Sequence, residues 1–322
     1  MTPASHQPLN TPVLIIIFNR PAFTRKMVEA LRVVKPLHLF VAADGPRTSD
    51  DVEKCMKARD ELKSVDWECT IKKVFSETNK GCRLGVSSSI TWFFQQVEEG
   101  IILEDDCIPH SDFFYFAESM IVRYRDNPQV MHITAGNYQF GTKRGEASYY
   151  ASRIAHIWGW ATWRRAWAHY DLDMNDFPSF LSKNKEQSFF PNPKFEKYWL
   201  FFFNRAFRET RTWDYQWVYA IMKNQGICIV PNINMITNVG FGKEATYTKD
   251  VHPLFSNCKS YPMPLITHPS TLYPDEEADQ YTITYAFGKL SLTTLLKKWW
   301  NARKEKKNFE NSRKVKSSMM KN

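Results

Sequence analysis

The residues best suited to chemistry are three consecutive acids, Glu104-Asp105-Asp106, reached at the end of an apolar run from Ile101 to Leu103. A short apolar run bounded by turn signals, here Gly100 and Pro109, reads as a buried strand. Three carboxylates at one strand end repel one another and resist desolvation. They are tolerated as a solvated acidic turn or around a cation, and hard oxygen ligands suit Mg2+ or Mn2+. Strand ends are also where open α/β sheets bind ligands. A second candidate is Asp214, between Trp213 and Tyr215 at the start of an expected helix. Aromatic burial would raise its pKa and a helix N-terminus would lower it. By itself such a residue reads as a helix-start acid or as a general base.

The elements that must carry these acids alternate from the beginning of the chain. Residues 12–18 are apolar and β-branched, the pattern of a buried parallel strand, and Asn19-Arg20-Pro21 ends it. Phe23, Met27, Ala30, Leu31 and Val34 make a helical stripe. Residues 37–43 form a second expected strand that ends in Asp44-Gly45-Pro46. A polar helix at 51–64, a strand at 67–75, a Gly-containing loop at 79–85 and a helix at 86–99 lead into the acidic strand. Alternating strand and helix predicts a parallel sheet with helices on both faces. The unit lacks G-x-G-x-x-G and G-x-x-x-x-G-K-[ST], so neither the dinucleotide fingerprint nor a P-loop is present.

Beyond Pro109 the expected elements are a helix at 112–125, with Asp112 as an early capping acid, and a strand at 130–135. A polar loop at 138–147 precedes Trp158-Gly159-Trp160-Ala161-Thr162-Trp163 and Trp167. Trp163 and Trp167 share one helical face and read as core, whereas Trp158 and Trp160 flank Gly159 and could line a pocket. An aromatic helix at 195–210, a helix after Trp213, a strand at 227–231 and a Gly-rich loop at 238–246 follow. The last segment, 290–322, starts with Leu292, Leu295, Leu296 and Trp299 at helical spacing and ends in a basic tail. It reads equally as an anchor on an anionic membrane surface or as a capping helix with a solubilising tail.

The formal net charge is +9, much of it in that tail, and favours anionic partners. Charge alone would allow nucleic-acid binding, but the excess is terminal and no recognisable module accompanies it, so no nucleic-acid partner is expected. The six cysteines show no C-x-x-C and no ladder of close pairs, which argues against a zinc site or a disulfide framework. With no signal-peptide pattern and no long apolar span, a cytoplasmic protein is expected, at most peripheral at the inner face of a membrane.

Glu104-Asp105-Asp106 followed by Asp112-Phe113-Phe114-Tyr115-Phe116 resembles the GT-A glycosyltransferases related to N-acetylglucosaminyltransferase I. The resemblance extends to the first strand with its Asn19-Arg20 ending, to Asp44, to Arg83-Leu84-Gly85, to Trp158-Gly159-Trp160-Ala161 and to the 238–246 loop. A Trp-Asp-Asp-Trp-like segment of that family reads Trp213-Asp214-Tyr215-Gln216-Trp217 here, with one of its two acids present. Over residues 12–250 the likeness is nearest to bacterial family 2 and haemolysin-like members.

The resemblance implies a GT-A fold, an α/β class with a Rossmann-like, mostly parallel central sheet. It implies a nucleotide-sugar half at 12–109, an acceptor and catalytic half at 110–285, and a basic tail at 286–322. The activity implied is inverting transfer from a UDP-sugar, UDP-N-acetylglucosamine among the donors, to a glycan or glycolipid acceptor in bacterial surface polysaccharide synthesis. By the same resemblance Asp106 is the ligand of Mn2+ or Mg2+, and Glu104 and Asp105 contact the ribose or the donor sugar. Asp44 accepts from the uracil N–H, Arg20 and Arg83 contact the nucleotide or diphosphate, and Asp214 is the base. His252 and His268 read as contacts to the diphosphate or the metal, or as structural histidines. A sugar-phosphate nucleotidyltransferase is the alternative. It uses a similar sheet but needs a Gly-rich loop after the first strand, where this chain has Asn19-Arg20-Pro21-Ala22.

Overall fold

The computed structural model describes residues 8–209, 211–241, 258–263 and 265–287. The chain divides into two compact units, Met1–Asp279 and Gln280–Asn322. In the second, the described residues include one π-helical turn, Thr282–Ala286. The expected amphipathic helix and basic tail at 290–322, and His252, lie outside the described residues.

The first unit is built on an eight-stranded sheet. Its strands in chain order are β1 (Val13–Ile17), β2 (His38–Ala43), β3 (Thr70–Phe75), β4 (Glu99–Glu104), β6 (Val130–Thr134), β7 (Tyr149–Ser152), β8 (Trp160–Trp163) and β9 (Ile227–Pro231). They lie in the order β3-β2-β1-β4-β8-β6-β9-β7. Strands β8 and β7 run against their neighbours, and the remaining contacts are parallel. A two-stranded ribbon joins β5 (Cys107–Pro109) to β10 (Ile236–Asn238). The class expected from the sequence, a mostly parallel mixed sheet flanked by helices, is the class observed.

Strand β1 has no polar side chain because both of its faces are covered. Val13, Ile15 and Ile17 join one core with Met27, Val28 and Leu31 of helix α1 (Pro21–Val34). Leu14 and Ile16 are buried on the opposite face. Helix α2 (Ser49–Asp60) packs on α1. Helix α3 (Gly81–Phe94) packs under β1, and its Phe93 sets a ring 4.9 Å from that of Phe40. Gly100 of β4 faces this ring: a Cβ there would lie 2.3 Å from Phe93 Cζ, so the strand passes only without a side chain. Helix α4 (Ser111–Tyr124) covers the α1 side of the sheet. It is capped by His110, whose Nδ1 accepts from the Asp112 N–H at 3.2 Å, and not by Asp112, which accepts from the Met263 N–H.

Two segments depart from the sequence reading. Residues 81–85, expected as loop, are the first turn of α3. Trp163 belongs to β8 and not to a helix; helix α5 (Arg164–Trp167) starts only after it. The remaining helices are α6 (Phe177–Glu186), α7 (Pro193–Arg208) and α8 (Asp214–Lys223). Among the described residues no helix is long and apolar enough to cross a membrane.

Candidate active site

The cavity that matters lies beyond the C-terminal ends of β1, β2 and β4. Sheet order reverses there: β2 and β3 lie to one side of β1 and β4 to the other. Switch points of this kind open a crevice. The cavity has a volume of about 450 Å³, and Arg20, Asp44, Glu104, Asp105 and Asp106 line it together with Trp158 and Gly240.

Glu104 closes β4, in register with Ile16 of β1, and the next two acids occupy the turn before β5. Arg20, at the start of α1, places its guanidinium between them. Nη2 meets Asp105 Oδ1 at 2.5 Å and Nη1 meets Asp106 Oδ2 at 2.8 Å. Asp105 is 1% exposed and also accepts from the Phe18 N–H at 3.3 Å. Burial lifts Glu104 above the usual carboxylate range, and the charges of Asp106 and Asp105 lift it further. Burial also lifts Asp105, and Arg20 opposes the rise. The arginine, 85 residues away in sequence from Asp105, was not paired with these acids by sequence reading.

Asp44 lines the cavity, but its oxygens are already engaged. Oδ1 accepts from the N–H groups of Gly45 and Lys80, each at 2.8 Å, and Oδ2 accepts from Asn79 Nδ2 and the Gly81 N–H, each at 3.0 Å. A carboxylate offers about four lone-pair sites. The work visible for Asp44 is to hold the turn into α3, which explains why residues after Gly81 are helical and not loop. Arg83 does not line the cavity; its Nη2 donates to the Leu172 carbonyl at 3.0 Å and pairs with Asp173 at 2.5 Å.

Asp214 opens α8. The Thr212 hydroxyl donates to its Oδ1. Burial pushes the carboxyl up to about 6, against the pull of the backbone N–H groups of Asp214 and Tyr215. The two opposing influences expected from sequence are both present, and burial prevails. Asp214 does not line the cavity, yet its charge is felt at Glu104. The bridge between them is aromatic. Trp213 stacks on Trp160 with centroids 5.9 Å apart and planes 20° apart, and Trp160 is the β8 partner of Ile102, two residues before Glu104. Trp160 is thus core and not pocket wall, whereas Trp158 does line the cavity. Tyr170, stacked on Trp167 at 4.1 Å, donates to the Trp213 carbonyl at 3.1 Å.

The loop after β10 meets the acids at Gly240. A Cβ at that position would lie 2.1 Å from Asp106 Oδ2, so glycine is required for the chain to pass. Residues 242–246 of the expected Gly-rich loop lie outside the described residues. His268 accepts or donates at Nδ1 to Tyr149 Oη, 2.9 Å away, a structural contact. Sequence reading missed Thr212 and Gly240. Thr212 was signalled only by a hydroxyl two residues before an acid, and Gly240 by one Gly in a Gly-rich segment.

Among the described residues no three His, Cys, Asp or Glu side chains converge to hold a metal ion. A cage built by the protein alone is therefore missing there. Asp106, 19% exposed on the cavity wall, fits the other mode, in which an ion rests on one or two carboxylates and takes its remaining ligands from phosphates and water.

No protein-family model and no curated protein matches the sequence. Among solved structures, a cytidylyltransferase from Leptospira borgpetersenii serovar Hardjo-bovis is 11% identical, with a TM-score of 0.33, over 50% of this chain and 63% of its own. The chain thus spans under two thirds of that neighbour. A 4-diphosphocytidyl-2C-methyl-D-erythritol synthase from Anaerococcus prevotii is 12% identical, with a TM-score of 0.29, over 53% of this chain and 77% of its own. A UDP-glucose pyrophosphorylase complexed with UDP-glucose is 8% identical, with a TM-score of 0.29, over 51% of this chain and 80% of its own. These partial overlaps assign no residue a role.

Proposed function

We propose that the protein is an inverting glycosyltransferase that binds a nucleoside-diphosphate sugar, of the UDP-sugar kind, in this cavity and transfers the sugar to a glycan hydroxyl. What carries the reading is one juxtaposition. Arg20 and the triplet Glu104, Asp105 and Asp106 line a crevice at the sheet's switch point, and Asp214, with a raised pKa, stands one aromatic layer away.

Cleaving the anomeric C–O bond leaves charge on the departing diphosphate. Arg20 offers it a planar fork of N–H donors. Asp106 would hold a divalent ion, which would supply further neutralisation of that charge. Glu104 positions the hydroxyls of the ribose or the donor sugar, while Asp105, 1% exposed and bonded to Arg20 and the Phe18 N–H, holds Arg20 in place instead. Asp214, with a carboxyl near 6, is ionised at neutral pH and still basic enough to take the acceptor's proton. Thr212 holds Oδ1 of that carboxyl with its hydroxyl.

The alternative, joining a nucleoside triphosphate to a sugar phosphate, would use the same crevice. The chain after β1 runs through Asn19-Arg20 into α1, without a Gly-rich phosphate loop, and this supports glycosyl transfer. The test is a screen of nucleotide sugars, with and without Mn2+, read as slow donor hydrolysis, beside a second screen of nucleoside triphosphates with sugar 1-phosphates, read as pyrophosphate release. Donor hydrolysis that Asp214→Asn abolishes, with UDP binding retained, supports the proposal. Pyrophosphate release without donor hydrolysis refutes it.

A further inference from the structure

We propose that Arg20 acts as a built-in counter-ion that keeps divalent cations off Asp106 until the phosphates of a nucleotide draw its guanidinium away. The inference rests on the reading of the cavity as a nucleoside-diphosphate site.

The two arms of the arginine sit in unlike surroundings. Nη2 is held by Asp105, which is 1% exposed, whereas Nη1 is held by Asp106, which is 19% exposed. The buried arm is an anchor and the other faces the cavity. The arginine's own backbone is fixed by its place at the start of α1: its carbonyl accepts from the N–H groups of Phe23 and Thr24, each at 3.0 Å. Its guanidinium lies 5.4 Å from the Phe23 ring centroid. Pivoting about Asp105 is therefore the movement open to it.

Asp106 Oδ2 is closed on two sides. Arg20 bonds it at 2.8 Å, and the chain at Gly240 passes so near that a Cβ there would lie 2.1 Å away. Among the described residues, Oδ1 has only the weak Cys107 thiol donor, at 3.4 Å. A dication approaching Oδ2 meets a guanidinium at hydrogen-bond distance, and like charges so close repel strongly in a low-dielectric crevice. A phosphate oxygen gives the cavity-side Nη1 the acceptor that Asp106 supplied, while Nη2 stays on Asp105, so the exchange leaves no donor unmade. Nucleotide and cation then bind cooperatively, with the nucleotide leading. In this arrangement the residue that accompanies the leaving diphosphate is also the one that guards the metal position.

The experiment titrates Mn2+ into the full chain and reads the loss of the free-ion electron paramagnetic resonance signal, for wild type and Arg20→Gln, with and without UDP. Without UDP, Arg20→Gln binds Mn2+ about tenfold or more tightly than wild type, the scale of one charge-assisted hydrogen bond. Saturating UDP raises the wild-type affinity and closes most of that gap. Adding Asp106→Asn to Arg20→Gln removes the gained binding. Should Arg20→Gln not fold, Arg20→Met, which keeps an unbranched stem and removes the charge, also binds Mn2+ more tightly than wild type. Equal affinities without UDP, absence of Mn2+ binding in every protein, or gained binding that survives Asp106→Asn overturns the proposal. No sugar transfer is read here, so a chain that obeys this order yet transfers nothing defeats the activity and not the counter-ion. Failure of UDP to bind defeats the nucleotide reading, while the comparison without UDP still decides the role of Arg20.

Discussion

Replacing Asp214 by Asn should stabilise the folded protein at pH 8 and leave its stability nearly unchanged at pH 4. Burial lifts this carboxyl from the ordinary 3.8 to about 6. Above pH 6 the group is charged whether the chain is folded or not, and the charge is less favourable in the fold. Below about pH 4 it is protonated in both states and the penalty is gone. Each pKa unit corresponds to about 1.4 kcal/mol, so two units set a ceiling of about 3 kcal/mol. The side chain is half-buried, and solvent screening brings the expected gain to roughly 2 kcal/mol. That is roughly 4 °C in melting temperature for a chain of this size. Asn preserves the shape of the neutral acid and can accept from the Thr212 hydroxyl as Asp214 does. Urea unfolding of both proteins at pH 8, 6 and 4 measures the difference. A variant less stable than wild type at pH 8, or a difference that does not change with pH, would refute the reasoning. A gain in stability accompanied by loss of transfer would mark a site held in a costly state for its chemistry.

Three further outcomes follow from the geometry. Gly240→Ala, whose Cβ would lie 2.1 Å from Asp106 Oδ2, should weaken UDP and Mn2+ binding about tenfold, out of proportion to a stability loss of about 1–3 kcal/mol, as calorimetry and urea unfolding would read. Asp44→Asn puts an NH2 donor against a set of donors, and should cost roughly 2–4 kcal/mol and speed hydrogen exchange at the Lys80 and Gly81 amides; unchanged exchange would contradict the assigned role. Burial pushes His132 down to about 3, and its Nδ1 accepts from Trp217 Nε1 at 3.2 Å. It must therefore stay neutral in the fold. Its contribution is complete above the unfolded value near 6.5 and is lost as pH falls towards 3, at up to about 1.4 kcal/mol per pH unit. His132→Asn should flatten the pH dependence of urea unfolding by about one proton, and an unchanged slope would count against this.

Much of the first half of the fold was legible because its signals are local. Residues 13–17 are all buried and all apolar, and Pro21 opens a helix whose Met27, Leu31 and Val34 fall on one face. The acidic strand end was legible for the same reason. Trp163 was not, since its spacing to Trp167 suits a helix and the four residues 160–163, all buried, carry no alternation to mark a strand; pairing of Glu99 with Trp163 across β4 and β8 makes it one. The helical state of residues 81–85 depends on Asp44, which reaches across from the end of β2 to bond the Lys80 and Gly81 amides. At the site, the acid triplet and Asp214 could be picked out by type. The clasp of Arg20 on Asp105 and Asp106 could not, because it is made by the sheet placing β1 beside β4. The engagement of Arg83 with Asp173 joins residues 90 positions apart and has no local sign.

The indole pair Trp160 and Trp213 has an optical consequence. Trp213 is bonded to Asp214, and Trp160 is paired across the strands with Ile102, so any shift of Asp214 against the β4 edge slides one ring over the other. Emission from stacked indoles changes with their overlap. The protein therefore carries an unlabelled gauge of the spacing between Asp214 and the β4 edge, open to stopped-flow recording on addition of UDP.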